Sequence, residues 1–309
     1  MPLIDAHCHL DHRFGGSWCD RPASELIAVL DEAGVDRVVD LSGGWGTEVL
    51  HRHLDHFKAA APERFTLLGG IDWRAWSDGG DRFGEDAARS LEAQLRAGAS
   101  GLKVWKTLGL EAVDHRGSLV AIDDPRLDPV WSVCDQEGVP VVIHVGDPIE
   151  FFRPLEPANA RSAEISAHPE WHWHERTHLT AADLVDQFER LVQRWPGVRF
   201  VGAHLLDLHH DAARLAQLLE RHPNLSVDLG ARFPELALHR LTLLDVLAQF
   251  PDRVLYGLDH PPGVDAYRST VATTREALEA AALANGSTGG LDEAVSQVLH
   301  ANAASIFAS

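Results

Sequence analysis

Leu3-Ile4-Asp5-Ala6-His7-Cys8-His9-Leu10 stands almost at the start of the chain. Two aliphatic residues lead straight into a His-x-His pair, so the stretch reads as a short strand with the histidines at its C-terminal end. Side chains alternate between the faces of a strand, which puts Asp5, His7 and His9 on one side and turns Cys8 away. Two imidazoles a pleat apart can grip one divalent ion, yet a lone His-x-His is also how an ordinary strand leaves for a loop. Whether later strands end in the same way separates the two readings.

They do. Gly101-Leu102-Lys103-Val104-Trp105-Lys106 is an apolar run broken only by lysines, Val139-Pro140-Val141-Val142-Ile143-His144 and Val198 to His204 both close on histidine, and Val254 to Asp259 closes on a carboxylate. Further strand-like runs lie at Val35–Leu41, Phe65–Ile71 and Leu225–Leu229. Segments of helical period separate them, at 24–33, 48–61, 85–97, 126–137, 181–195, 209–221 and 236–249, the first stopping at Gly34 and the fourth at Gly138. The tail carries two more, near 265–284 and 291–305. Strand and helix alternating some eight times without a break in composition indicates an α/β chain folded as a (β/α)8 TIM barrel. The expected organisation is one domain over 1–309, with long βα loops at 107–125 and 145–179 and C-terminal helices. A doubly wound open sheet is the competing architecture. It calls for fewer units and a Gly-x-Gly-x-x-Gly turn after the first strand, which is missing here.

The formal net charge is −19 over 309 residues, with an isoelectric point near 5.3. Such a surface repels nucleic acid and anionic membranes, and no block of Lys and Arg relieves it. The three cysteines, Cys8, Cys19 and Cys134, have no paired spacing, which suits a reducing compartment. No signal-like start and no apolar run of membrane-spanning length occurs, so the expectation is a soluble, cytoplasmic protein acting on a small molecule. The aromatic-rich excursion 145–179 is a candidate surface for a homo-oligomer.

Barrel active sites assemble at the C-terminal ends of the strands. The residues expected there are His7 and His9 on strand one, Lys103 on four, His144 on five, His204 on six and Asp259 on eight. Any one of them alone is a polar strand ending. Together they are a set of imidazoles plus a carboxylate converging on one mouth, which suits a borderline divalent ion, zinc first, with manganese, iron or cobalt as alternatives.

These pieces resemble the amidohydrolase superfamily, and within it the amidohydrolase-related branch that includes aminocarboxymuconate-semialdehyde decarboxylase. The resemblance rests on Asp5-Ala6-His7-Cys8-His9, Gly101-Leu102-Lys103, Val142-Ile143-His144, Gly202-Ala203-His204, Tyr256-Gly257-Leu258-Asp259-His260-Pro261 and the closing Asn302-Ala303-Ala304-Ser305-Ile306-Phe307. It spans the chain and keeps the family's order. It implies one metal held by His7, His9, His144 and Asp259, with His204 as catalytic acid or base. Asp259 is the second candidate catalytic group, since it either binds the ion or takes a proton from the water on it. In binuclear relatives a strand-four lysine is carboxylated and bridges two ions. Lys103 occupies that position, but one metal is the default in this branch.

For substrate binding, Lys103 and Trp105 alternate onto one face, Arg232 follows strand seven, and Arg153 follows His144. Cations above so acidic a protein suggest capture of a carboxylate; the competing role for Arg153 and Arg232 is pairing with neighbouring carboxylates. Trp45, Trp73, Trp105, Phe151 and Phe152 would form an aromatic wall, or simply pack the loops. The run His168 to His178 follows no ligand spacing and reads as a polar lid or contact surface. His51, His53 and His56 are expected in solvent on an exposed helix, and His209 and His210 at the start of another. The leading functional reading is metal-dependent hydrolysis by an activated water. The alternatives are non-oxidative decarboxylation of an unsaturated or aromatic acid, which a basic clamp would suit, and a non-catalytic barrel that binds a small molecule.

Overall fold

The computed structural model describes residues 2–11, 18–238, 241–286 and 290–308, without the side chains of Trp45 and Leu241. The expected contribution of Trp45 to an aromatic wall therefore lies outside the described residues. Nine short strands run in parallel: β1 (Ile4–Cys8), β2 (Arg37–Asp40), β3 (Phe65–Leu67), β4 (Gly69–Gly70), β5 (Leu102–Val104), β6 (Val141–Ile143), β7 (Phe200–Gly202), β8 (Leu225–Asp228) and β9 (Val254–Leu255). They form two arcs, β1-β2-β3 and β4 through β9. Only Leu68 separates β3 from β4. Its N–H donates to Asp40 O at 3.0 Å and the next, of Gly69, to Gly101 O at 2.9 Å, so one barrel strand passes its bonding from one neighbour to the other. The remaining seam is bridged by Ala6 N to Tyr256 O at 2.9 Å and Asp259 N to His7 O at 2.8 Å. The result is an eight-stranded parallel α/β barrel.

Both faces of such strands are covered, which is why they read as continuous apolar runs rather than alternating ones. Ile4, Ala6, Val39, Leu41, Leu68, Val142, Val201 and Leu255 fill the barrel, with Ala303 and Phe307 of the C-terminal helical segment packed into the same cluster. The opposite faces, among them Leu3, Val38, Leu67, Leu102, Ile143, Phe200 and Val227, pack under the helices. Those helices follow their sequence signals. Ala181–Arg194 starts at a Thr180/Asp183 capping box and buries Leu184, Phe188, Leu191 and Val192 on one stripe. Ala23–Ala33 and Asp128–Glu137 end at Gly34 and Gly138, both left-handed as a helix stop requires (φ 74° and 63°).

Three expectations change. First, Asp5 does not share a face with His7 and His9. Asp5 pairs with Val38 but Cys8 pairs with Asp40, so β1 holds one residue more than β2 over that span, a β-bulge. Asp5 faces the helices and accepts from Tyr267 Oη at 2.9 Å, from Leu258 N at 2.9 Å and from His7 N at 3.1 Å; burial pushes its pKa up to about 7 against these bonds. Second, of the two roles open to Trp73 the packing one holds, but in the core rather than in a loop: it sits in a short helical turn against Trp131. Third, the helix expected at 236–249 is two, Phe233–Ala237 and Leu241–Gln249. No helix among the described residues is long and apolar enough to cross a membrane.

The β1–β9 seam leaves no room for a side chain on Gly257, where a Cβ would lie 2.5 Å from His7 Cβ and 3.1 Å from His7 N. Gly257→Ala should therefore cost about 1–3 kcal/mol, the usual range for overpacking. Urea denaturation read by circular dichroism would measure it.

Candidate active site

His7 lies within the bulged span of β1, His9 directly follows the strand, and Asp259 stands four residues after β9. Asp259 Oδ1 lies 3.4 Å from Nε2 of both His7 and His9, and Oδ2 lies 3.7 Å from Nδ1 of His204. The ring of His204 is 4.8 Å from that of His7 and 4.5 Å from that of His144. Hydrogen bonds to acceptors set the tautomers. His7 Nδ1 donates to Asp228 Oδ2 at 2.8 Å, and His204 Nδ1 donates to Gly230 O at 2.9 Å. Each ring is left with a lone pair on Nε2. A carboxylate behind an imidazole is the usual outer support of a metal-binding histidine.

Burial holds His7, His9, His144 and His204 well below the ordinary imidazole range, and the positive charge of Lys103 adds to the effect. Four neutral imidazoles beside one carboxylate are a donor set that fits a divalent ion. His7, His9 and Asp259 present ligand atoms all within 4.8 Å of one another. His144 stands outside that trio, against His204 and 3.8 and 3.9 Å from Asp147 and Asp207.

His204 opens an unusual piece of backbone. His204, Leu205, Leu206 and Asp207 all have φ between 54° and 57°, one turn of left-handed helix built without glycine. Such a conformation costs roughly 1–2 kcal/mol per residue. Ala231 and Asp259 complete the non-glycine positive-φ positions among the described residues, so all six follow β7, β8 or β9 at the mouth. Strain gathered in one place is typical of functional sites. The turn brings His204 and Asp207 to one cavity of about 150 Å³, lined also by His144, Asp259, Arg232, Arg161, Phe151 and Trp171.

The sequence profile of the amidohydrolase family matches residues 4–308. The chain belongs to the amidohydrolase family. It is thus a metal-dependent enzyme, a hydrolase or a carboxy-lyase, which sets aside the non-catalytic barrel. No curated protein matches the sequence. Among solved structures, a putative amidohydrolase from Staphylococcus aureus superposes with a TM-score of 0.62 at 14% identity, over 100% of both chains. A dihydroxybenzoic acid decarboxylase from Polaromonas sp. JS666, with bound manganese and the inhibitor 2-nitroresorcinol, gives 0.62 at 16% identity over 99% of this chain and 96% of that one. A 5-carboxyvanillate decarboxylase from Sphingomonas paucimobilis gives 0.52 at 16% identity over 99% and 98%. At these identities the likeness establishes the fold.

In this amidohydrolase the residues singled out from sequence are brought together unequally. His7, His9, His144, His204 and Asp259 converge. Lys103 is fully buried, its Nζ without a hydrogen-bond partner among the described residues and 4.9 Å from the Trp105 ring, which stacks on His9. Burial, partly offset by Asp228 and Asp259, lowers Lys103 to about 8. Arg232 lines the cavity, with Nη1 at 3.5 Å from Asp207 and 3.6 Å from Glu235 and, among the described residues, no hydrogen bond on Nε or Nη1. Arg153 is exposed and absent from the lining; Arg161, eight residues on, is there instead. Of the expected aromatic wall, Phe151 lines the cavity while Phe152 packs on the core. The polar run contributes Trp171 to the lining and Trp173, whose indole donates to Asp147 at 2.5 Å. His53 and His209, expected in solvent, are both buried.

Asp228, Asp207, Arg161 and Lys106, which lines the cavity and donates to Asp147 at 2.6 Å, are not marked as site residues by the sequence. Asp228 ends β8 as Asp259 follows β9, so the strand-end rule could have found it. Nothing local marks Asp207, because its place depends on the left-handed turn. Burial pushes Asp207 up to about 8, against the pull of Arg232. A carboxyl raised in the folded state favours folding at low pH, and that contribution fades as pH climbs from about 4 through about 8. Asp207→Asn removes the titration. Wild type should lose stability relative to this variant over that window, by at least about 1.4 kcal/mol, the equivalent of one pKa unit. Denaturation of both proteins at pH 5 and pH 9 would measure it.

Proposed function

We propose that this amidohydrolase is a non-oxidative decarboxylase of a small aromatic or unsaturated carboxylic acid. The observation that carries the proposal is the cavity. Its 150 Å³ matches the space that takes a benzene ring. Phe151 and Trp171 on its lining suit a flat apolar substrate, and Arg232 offers unsatisfied N–H donors to an anionic group. The aromatic acids named for the Polaromonas and Sphingomonas decarboxylases belong to the same chemical class.

In this reading His7, His9 and Asp259, with His144, hold one divalent ion. Imidazoles with a carboxylate accommodate zinc as well as manganese. Bound there, the ion supplies Lewis-acid polarisation of substrate oxygens and a fixed positive charge against the electron density that develops at the carbon. Asp228 keeps the His7 ring oriented. Arg232 anchors the substrate's acidic group. The C–C bond to the carboxyl group breaks, CO2 leaves, and the electron pair stays on the carbon. That carbon then needs a proton. Asp207, neutral near pH 7, is a donor facing the cavity, while His204 Nε2, in its present tautomer, accepts. Asp207 gives one proton to that carbon, and His204 Nε2 takes one from solvent and returns it to Asp207, so both groups end the turnover in their starting state.

Hydrolysis is the second reading. The position of Asp259 within 3.4 Å of two imidazoles and 3.7 Å of a third favours it, since a carboxylate so placed can take a proton from water.

Assays of hydroxybenzoates and unsaturated acids with manganese or zinc in D2O should give CO2 and a product with one deuterium at the vacated carbon. Incorporation of ¹⁸O from labelled water without CO2 release would establish the hydrolase instead. His204→Asn should cut turnover by about 100-fold or more with metal content unchanged, as elemental analysis would show; loss of the metal would make His204 a ligand. Arg232→Ala should raise KM by about tenfold or more, in line with about 1.5–3 kcal/mol for a hydrogen bond to a charged group. An unaltered KM rules out the anchor.

A further inference from the structure

A second group of ligand-type side chains lies on the other side of β1's exit. Asp11 comes from the loop after β1, Cys19 from the helical turn Trp18–Asp20, and His53 from the end of the helix Thr47–His53. Their donor atoms all fall within 4.8 Å of one another. We propose that Asp11, Cys19 and His53 form a separate, structural site for a zinc-like divalent ion.

Geometry carries the assignment. Cys19 Sγ lies 3.5 Å from His53 Nε2. Tetrahedral zinc, with bonds of about 2.3 Å to sulfur and about 2.0–2.1 Å to nitrogen, sets that edge at about 3.5–3.6 Å. His53 is fully buried, and its Nδ1 donates to Asp40 Oδ2 at 2.6 Å, which aims Nε2 at the sulfur. Asp40 is itself fixed, since its Oδ1 accepts from Ser42 N at 3.0 Å and from Leu10 N at 3.3 Å. This is the outer carboxylate that commonly orients a metal-binding histidine. Asp11 is buried too, one oxygen held by Arg52 Nη2 at 2.7 Å. Without the ion, the thiol donates to Leu10 O at 3.0 Å. Three protein ligands of mixed S, N and O type leave a fourth position for water, and the set shares no residue with the cavity described above. The ion would tie Asp11 and the turn Trp18–Asp20 to the end of the helix Thr47–His53.

Sulfur makes the site testable. Cys8 and Cys134 are fully buried in the hydrophobic core, and the active-site donors include no thiol. Protein stripped with a chelator and titrated with Co²⁺ should bind two equivalents, one of them giving the near-ultraviolet thiolate-to-cobalt charge-transfer band. The band should vanish in Cys19→Ser and persist in His144→Asn. In the wild type, independently of any variant, Zn²⁺ should slow alkylation of Cys19 by iodoacetamide at least tenfold, read by peptide mass spectrometry. Cobalt bound without the band, or alkylation indifferent to zinc, would overturn the proposal and leave a thiol–imidazole hydrogen bond only.

Discussion

One extra residue in β1 governs the mouth of this barrel. Without the bulge, strict alternation would place Asp5, His7 and His9 on one face, and Ala6 on the other. With it, Ile4 and Ala6 fill the interior, Asp5 turns out to meet Tyr267, and His7 and His9 reach the mouth together. The same stretch closes the ring, because His7 O accepts the N–H of Asp259. The backbone bond that seals the barrel therefore also fixes the distance between the candidate ligands on β1 and the carboxylate after β9. Closure and site assembly are a single event.

Burial then sets the charge state of everything there. Four imidazoles remain neutral because water is excluded and Lys103 adds positive potential. Burial also raises Asp207 to about 8, here against the surrounding cations rather than with them. A mouth composed of neutral imidazoles, the Asp259 carboxyl, a protonated Asp207 and a few cations is electrostatically ready for a divalent ion with an anionic ligand. That holds even though the molecule as a whole carries −19. The left-handed turn at His204–Asp207 is the energetic counterpart. Its strain is sustained by Leu205 and Leu206, buried in the core between the two polar residues.

Much of this was legible in the chain. The alternation of apolar runs with helical segments specifies the barrel, because strands covered on both faces must be apolar throughout and each helix must bury one stripe. Strand-end histidines and Asp259 could be identified because parallel topology sends every C-terminal strand end to the same side. Other residues were hidden by geometry that no local pattern encodes. Simple alternation puts Asp5 on the wrong face, since a bulge leaves no periodic trace. Arg153 and Arg161 lie eight positions apart in one irregular excursion, where nothing in the spacing says which faces inward. Helical periodicity places His53 in water, yet its carboxylate partner Asp40 sits on a strand thirteen residues earlier.

The sequence by itself thus determined the architecture, the acidic exterior and the cluster of imidazoles, since these follow from hydrophobic period and from the direction of the strands. Only the tertiary structure decided which carboxylates meet which imidazoles, that Asp207 joins His204 across a left-handed turn, and that Cys19, His53 and Asp11 come together. Those choices depend on register, backbone handedness and burial, which are set by chain segments that touch only after folding.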